Sequence, residues 1–208
     1  MTGADAAGAA GVAAVATTDE VLARPELTEA LLAPWERGRL ARIRLPGRRA
    51  DVLAARLLLR LCVARVTGRA PGAVALAQHC AACGRDGHGR PYLPGRPDLG
   101  VSLSHADGLA AAAAGPGAVG IDTEPRTRRP GPLPVLRRLL PEPAVNAAAG
   151  APGPGLALVR LWVRHEALFK AGRHEGGTRL LERTDPRRGA VTAVASTAPV
   201  TWVRADSL

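Results

Sequence analysis

The sequence predicts an α+β fold. Two long segments, 48–66 and 155–171, repeat apolar residues at helical spacing, while the runs between and after them are short and alternate or stay uniformly small and apolar, as strands do. A length of 208 residues suits one domain or two small ones packed together. Hydrophobic residues at 47% and charged residues at 22% exclude a wholly disordered chain.

Taken in order, residues 1–19 (MTGADAAGAAGVAAVATTD) are rich in Ala and Gly and lack the basic start and Leu-rich centre of a signal peptide. They read as a disordered tail, and the chain is expected to be cytoplasmic. A first lobe is expected over 20–117. Its main helix, 48–66, covers a wide apolar arc, as for a helix packed on a sheet. Arg49, Arg56 and Arg60 fall within about 40° of one another on that helix and make a cationic stripe. From this segment alone the stripe reads as a solvated face.

Next comes His79-Cys80-Ala81-Ala82-Cys83, then His88. A CxxC with flanking histidines could hold zinc, but all the ligands would come from one short loop. A turn with reduced thiols is the preferred reading. Three short strands follow at 101–104, 109–114 and 118–124, the last containing Gly120, which permits close approach of another backbone or a ligand. A second lobe is expected over 118–208. Within it, 125–155 is rich in Pro, Gly and Ala around a short helix at 135–140 and reads as a partly mobile insertion. The helix ending at Ala171 is stopped by Gly172, and strands are expected at 190–196 and 200–204.

No apolar run is long enough to span a membrane. A net charge of +10 points to an anionic partner or to coding bias toward arginine. Two counts stand out. The only aromatics are Trp35, Tyr92, Trp162, Phe169 and Trp202, and Lys170 is the single lysine among 28 basic residues. A position that keeps lysine where arginine is otherwise used can require a compact ammonium.

Asp122 and Glu124 sit at i and i+2 of a strand, so both carboxylates point to one face. Trp162, Glu166 and Lys170 line one side of the second long helix, where Glu before Lys at i+4 is otherwise an ordinary surface pair. Glu166 brought beside Asp122 and Glu124 would complete an all-oxygen site suited to Mg²⁺, with the Lys170 ammonium facing phosphate oxygens.

Four motifs occur in order: GRP (Gly89–Pro91), SLSHADG (Ser102–Gly108), VGIDTE (Val119–Glu124) and WVRHEALFKAG (Trp162–Gly172). Together they resemble 4′-phosphopantetheinyl transferases of the Sfp type, and the upstream AARLLLR and CAACG…HGRP are similar to actinobacterial members. The resemblance covers about 34–172. It implies a pseudo-twofold pair of similar α/β lobes with the active site in the cleft between them. It also implies transfer of the 4′-phosphopantetheine arm of coenzyme A to a serine of an acidic acyl or peptidyl carrier protein, releasing 3′,5′-ADP.

The resemblance further implies that Asp122, Glu124 and Glu166 hold Mg²⁺ (or Mn²⁺). It makes Glu166 the base, Lys170 the contact to the phosphate, and His105 with Ser104 neighbours of the coenzyme phosphates. Arg90 would meet the nucleotide end, with Arg49 and Arg56 as further phosphate contacts. Internal duplication implies a monomer. Where the family carries lysine before the helix glutamate this chain has His165, Thr123 replaces an apolar residue, and AGRHEGGTRLL after Lys170 matches only loosely. Two alternatives stay open: a basic nucleic-acid-binding protein with a CxxC zinc knuckle, disfavoured by the scarcity of aromatics for stacking, and a non-catalytic homologue that binds coenzyme A or a carrier protein.

Overall fold

Five consecutive alanines, Ala110–Ala114, are completely or almost completely buried, and they set the layering of the molecule. The computed structural model describes residues 10–172 and 177–208, so part of the stretch after Lys170 lies outside the described residues. In chain order these form β1 (Gly11–Thr17), α1 (Thr18–Leu22), α2 (Pro34–Leu40), α3 (Pro46–Thr67), β2 (Ala77–His79), β3 (Arg90–Tyr92), β4 (Leu99–Ala106) and β5 (Leu109–Pro116). After them come β6 (Val119–Pro125), α4 (Leu133–Leu139), α5 (Glu142–Ala149), α6 (Pro154–Lys170), β7 (Arg179–Asp185), β8 (Ala190–Ser196) and β9 (Val200–Trp202).

Among the described residues the fold is mixed α+β, as expected, with six helices and three sheets. One sheet runs β4-β5-β1-β9, a second runs β6-β8-β7, and β2 with β3 form a small hairpin. Side-chain alternation sends Val12, Ala14, Ala16, Ala110, Ala112 and Ala114 toward the leucines of α3. The opposite face, Ala13, Val15, Leu109, Ala111 and Ala113, meets Val119, Ile121 and Val194 of the second sheet. The far side of that sheet, Val191, Ala193 and Ala195, carries α6 through Val159, Val163 and Ala167. The order is helix, sheet, sheet, helix. Strands covered on both sides are apolar on both faces and read as continuous runs, as the alanine run does.

Three expectations change. Residues 11–19 are not a tail: Gly11–Thr17 is an interior strand, paired antiparallel with β5 and parallel with β9, and α1 follows at once. Ala and Gly have little strand signal, but here burial on both faces supplies the stabilisation that propensity lacks. Residues 1–9 lie outside the described part. The 125–155 stretch holds two packed helices, α4 and α5, whose Leu136, Leu140 and Val145 are buried against Leu158, Leu161 and Trp162 of α6. Trp162 thus packs α6 into place. Finally, β9 returns to the first sheet beside β1, so a strand from the second half of the chain completes the sheet of the first.

The long helix starts two residues earlier than its periodicity predicts, with Pro46 in its first turn, and ends at Gly68 in the left-handed conformation. Among the described residues, no helix is long and apolar enough to cross a membrane.

Candidate functional site

Gly120 sets the site. A Cβ there would lie 2.1 Å from the Ala167 carbonyl oxygen and 2.4 Å from the Ala171 nitrogen, so only glycine lets the end of α6 press onto β6. The approach brings Lys170 over the strand. Its Nζ donates to Asp122 Oδ1 at 2.6 Å and to the Ile121 carbonyl at 3.1 Å. Ser104 on β4 donates its hydroxyl to the same Asp122 Oδ1 at 2.7 Å, and the Ile121 N–H donates to Ser102 Oγ at 3.0 Å. Two serine hydroxyls, two residues apart, thereby join the edge strand of one sheet to the edge strand of the other.

Asp122 and Glu124 are buried, and Asp122 Oδ2 and Glu124 Oε2 have no hydrogen-bond partner among the described residues. Arg128 reaches Glu124 Oε2 at 3.2 Å, close enough for an ion pair but outside hydrogen-bonding geometry. Burial, reinforced by Asp122 and Asp107 against the pull of Arg128 and Lys170, pushes the Glu124 carboxyl up to about 7. Buried carboxylate oxygens without hydrogen-bond donors are expensive to keep. Glu166 lies one turn before Lys170 on α6, half-buried. Asp122, Glu124 and Glu166 do not form a set with donor atoms within 4.8 Å of one another; among the described residues only Cys80, Cys83 and His88 do.

The remaining residues divide between two cavities. One, of about 910 Å³, is lined by His105, Glu124, Arg128, Arg48, Asp51 and the first turn of α3. Burial lowers the His105 pKa, with Asp51 opposing and Lys170, Arg48 and Arg56 adding to it, so the ring is neutral near pH 7. Thr18 and the Gly108 N–H both donate to Asp51, fixing the turn after His105 against α3. The other cavity, of about 590 Å³, is lined by Arg90, Lys170, Ser102, Gln78, Cys80 and Phe169. Arg90 donates to the Lys170 carbonyl at 2.6 Å, which satisfies a last-turn oxygen of α6 and ties the β2–β3 hairpin to it.

Two expected phosphate contacts are engaged elsewhere. Arg56 is buried and bonded to Glu36 Oε1 at 2.6 Å, with its guanidinium 5.0 Å from the centre of the Trp35 ring. Arg60 is fully buried on the other oxygen of Glu36. At Arg56 and Arg60 the stripe read as a solvated face is therefore internal, because Glu36 on α2 supplies the counter-charge. Arg49 pairs with Glu29 at 2.5 Å. Arg48, one residue earlier and about 100° away around the helix, lines the larger cavity. Glu36 was missed; its one signal is its place three residues after Ala33, whose N–H donates to it across the first turn of α2.

The Cys83 thiol is drawn down to about 7, chiefly by the Arg85 backbone N–H, whereas burial pushes Cys62 up to about 12. Compared with known proteins, the chain matches no family profile and no curated sequence.

Proposed function

We propose that the chain is an enzyme that transfers the 4′-phosphopantetheine arm of coenzyme A to a serine hydroxyl of a carrier protein, as the resemblance of its motifs to Sfp-type transferases implies. The observation that carries the reading is the pair of buried, donor-less carboxylate oxygens on Asp122 and Glu124 beside the chain's single lysine. Asp122, Glu124 and Glu166 fit a Mg²⁺ or Mn²⁺ ion by donor chemistry, all being hard oxygen ligands. Bound there, such an ion supplies charge neutralisation at a pyrophosphate.

This chain's own groups then do the rest. Lys170 presents its ammonium to a phosphate oxygen while remaining held by Asp122. Ser104 fixes the carboxylate of Asp122. Arg48 and the first turn of α3 offer a cationic, dipole-positive wall for phosphate groups. His105, neutral near pH 7, orients by hydrogen bonding and adds no charge. Glu166 takes the proton of the carrier serine as its oxygen bonds to phosphorus, and the phosphorus–oxygen bond to 3′,5′-ADP breaks. The pseudo-twofold relation of the two α/β lobes, the cleft between them as the active site and a cytoplasmic setting belong to the same proposal. A carrier with an acidic surface suits the net charge of +10.

Incubating the chain with coenzyme A, Mg²⁺ and an apo carrier protein should add one phosphopantetheine to the carrier, read by intact mass. Glu166→Gln should lower the rate by at least about 100-fold. A panel of carriers left unmodified by the wild-type chain overturns the proposal. Coenzyme A binding without transfer would favour a binding protein, and tight, salt-sensitive RNA or DNA binding a nucleic-acid partner.

A further inference from the structure

The β2–β3 hairpin folds around a cluster that the proposed transfer reaction does not use. Cys80 Sγ, Cys83 Sγ and a ring nitrogen of His88 all lie within 4.8 Å of one another, and Cys83 Sγ is 3.1 Å from His88 Nε2. In a tetrahedral zinc site, metal–ligand distances of about 2.3 Å to sulfur and 2.0–2.1 Å to nitrogen put two sulfurs about 3.8 Å apart and sulfur and nitrogen about 3.6 Å apart. The Cys83–His88 pair is already closer than the sulfur–nitrogen separation, and the other two pairs lie within 4.8 Å.

The backbone is built to keep them there. The Cys80 carbonyl accepts the Gly84 N–H at 2.8 Å and the Cys83 N–H at 3.3 Å, and the Cys80 N–H donates to Arg85 at 3.0 Å. Gly89 has φ of +85°, and a Cβ on it would lie 2.4 Å from the His79 carbonyl oxygen, so no other residue closes the loop this tightly. The two flanking histidines are distinguished as well: His79 Nδ1 is bonded to Asp86 at 2.9 Å, leaving His88 to face the thiols.

We propose that Cys80, Cys83 and His88 bind one Zn²⁺, with the fourth tetrahedral position taken by water, and that the ion clamps the hairpin whose last strand carries Arg90 to the end of α6. Arg90 donates to the Lys170 carbonyl, and Cys80 lines the cavity that Lys170 and Arg90 share, so order in this loop is order at the site. Loop geometry this tight answers the objection that one short segment cannot supply the ligands.

The test uses the full chain, reduced and stripped of metal with a chelator, titrated with Co²⁺ under anaerobic conditions. Expected is saturation at one Co²⁺ per chain, with a thiolate-to-cobalt charge-transfer band and the visible bands of a four-coordinate ion, both abolished by stoichiometric Zn²⁺. Cys83→Ser and His88→Ala should lose the band, while His79→Ala keeps it. Zn²⁺ should also slow amide exchange over 77–92 in the wild-type chain. Absence of the charge-transfer band in the wild-type chain overturns the proposal without any variant. So does a band that survives in His88→Ala or disappears in His79→Ala. These readouts do not involve carrier modification, so failure here and failure of the transferase reading are separable.

Discussion

Replacing Glu36 by glutamine should destabilise the fold far more than a surface charge change would. The side chains of Glu36 and Arg60 are fully buried, and that of Arg56 is only 6% exposed, so Glu36→Gln leaves two guanidinium groups facing a neutral amide in the interior. Breaking a buried pair by removing one partner costs about 3–5 kcal/mol. At about 2–4 °C per kcal/mol for a chain of this size, the melting temperature should fall by roughly 6–20 °C. Urea denaturation followed by far-ultraviolet circular dichroism measures the change directly. Glu36→Leu combined with Arg60→Met should recover part of the loss, because one of the two unpaired charges is removed and Arg56 keeps Gln78 as acceptor and Trp35 beside its guanidinium.

Acid sensitivity supplies a second signature of Glu36. Burial opposes its ionisation, but Arg60, the Ala33 N–H and Arg56 outweigh it and hold the carboxyl below its ordinary value near 4.5. The stabilisation is therefore full above that value and lost as pH falls through the lowered one, a limb that Glu36→Gln should lack. If Glu36→Gln unfolds within about 1 kcal/mol of the wild-type chain, the cluster is not the buried anchor described and the reasoning fails.

Gly120→Ala should cost about 1–3 kcal/mol and lower carrier modification, since α6 must move off β6 and carry Lys170 with it; Gly38→Ala, in α2 with nothing within 4 Å, should instead gain about 0.5–1 kcal/mol in the same urea assay. Glu124 holds a proton in the folded chain between its ordinary value near 4.5 and its raised value of about 7, so in metal-free buffer stability should fall as pH rises through that window. Glu124→Gln should remove this slope and stabilise the apo chain at pH 8 by up to about 3 kcal/mol in urea titrations. Adding Mg²⁺ should raise the melting temperature of the wild-type chain more than that of Glu124→Gln, and excess chelator should reverse the difference. Arg56→Met should lower stability while changing the KM for coenzyme A less than twofold, the opposite of what a phosphate ligand would do.

The long helices and the strands around Asp122 were legible because each carries its own signal: sustained periodicity for α3 and α6, alternation and punctuating glycines for β4 to β6. The sequence directed the Lys170 ammonium at phosphate oxygens, whereas the structure pairs it with Asp122; of the two neighbours Gly120 could admit, backbone or ligand, it admits the backbone of α6. What sequence could not show depends on partners distant along the chain. Strand β1 is small-residue sequence made into structure by two covering layers. Strand β7 leaves Leu180 and Leu181 exposed and breaks the inside-outside pattern. Arg56 and Arg60 looked like a wet face because Glu36 comes 20 and 24 residues earlier, and a helical wheel has no information about it.

The parallel pairing of residues 11–13 with residues 200–202 has a kinetic consequence. Residues that pair across most of the described sequence complete the first sheet, so this closure has a long contact separation and should come late in folding. A ribosome would release the strand that β1 awaits long after β1 itself. Until then the edge of β1 stays open to other chains, and α6 with Lys170 can dock on β6 before the sheet on the other side is complete.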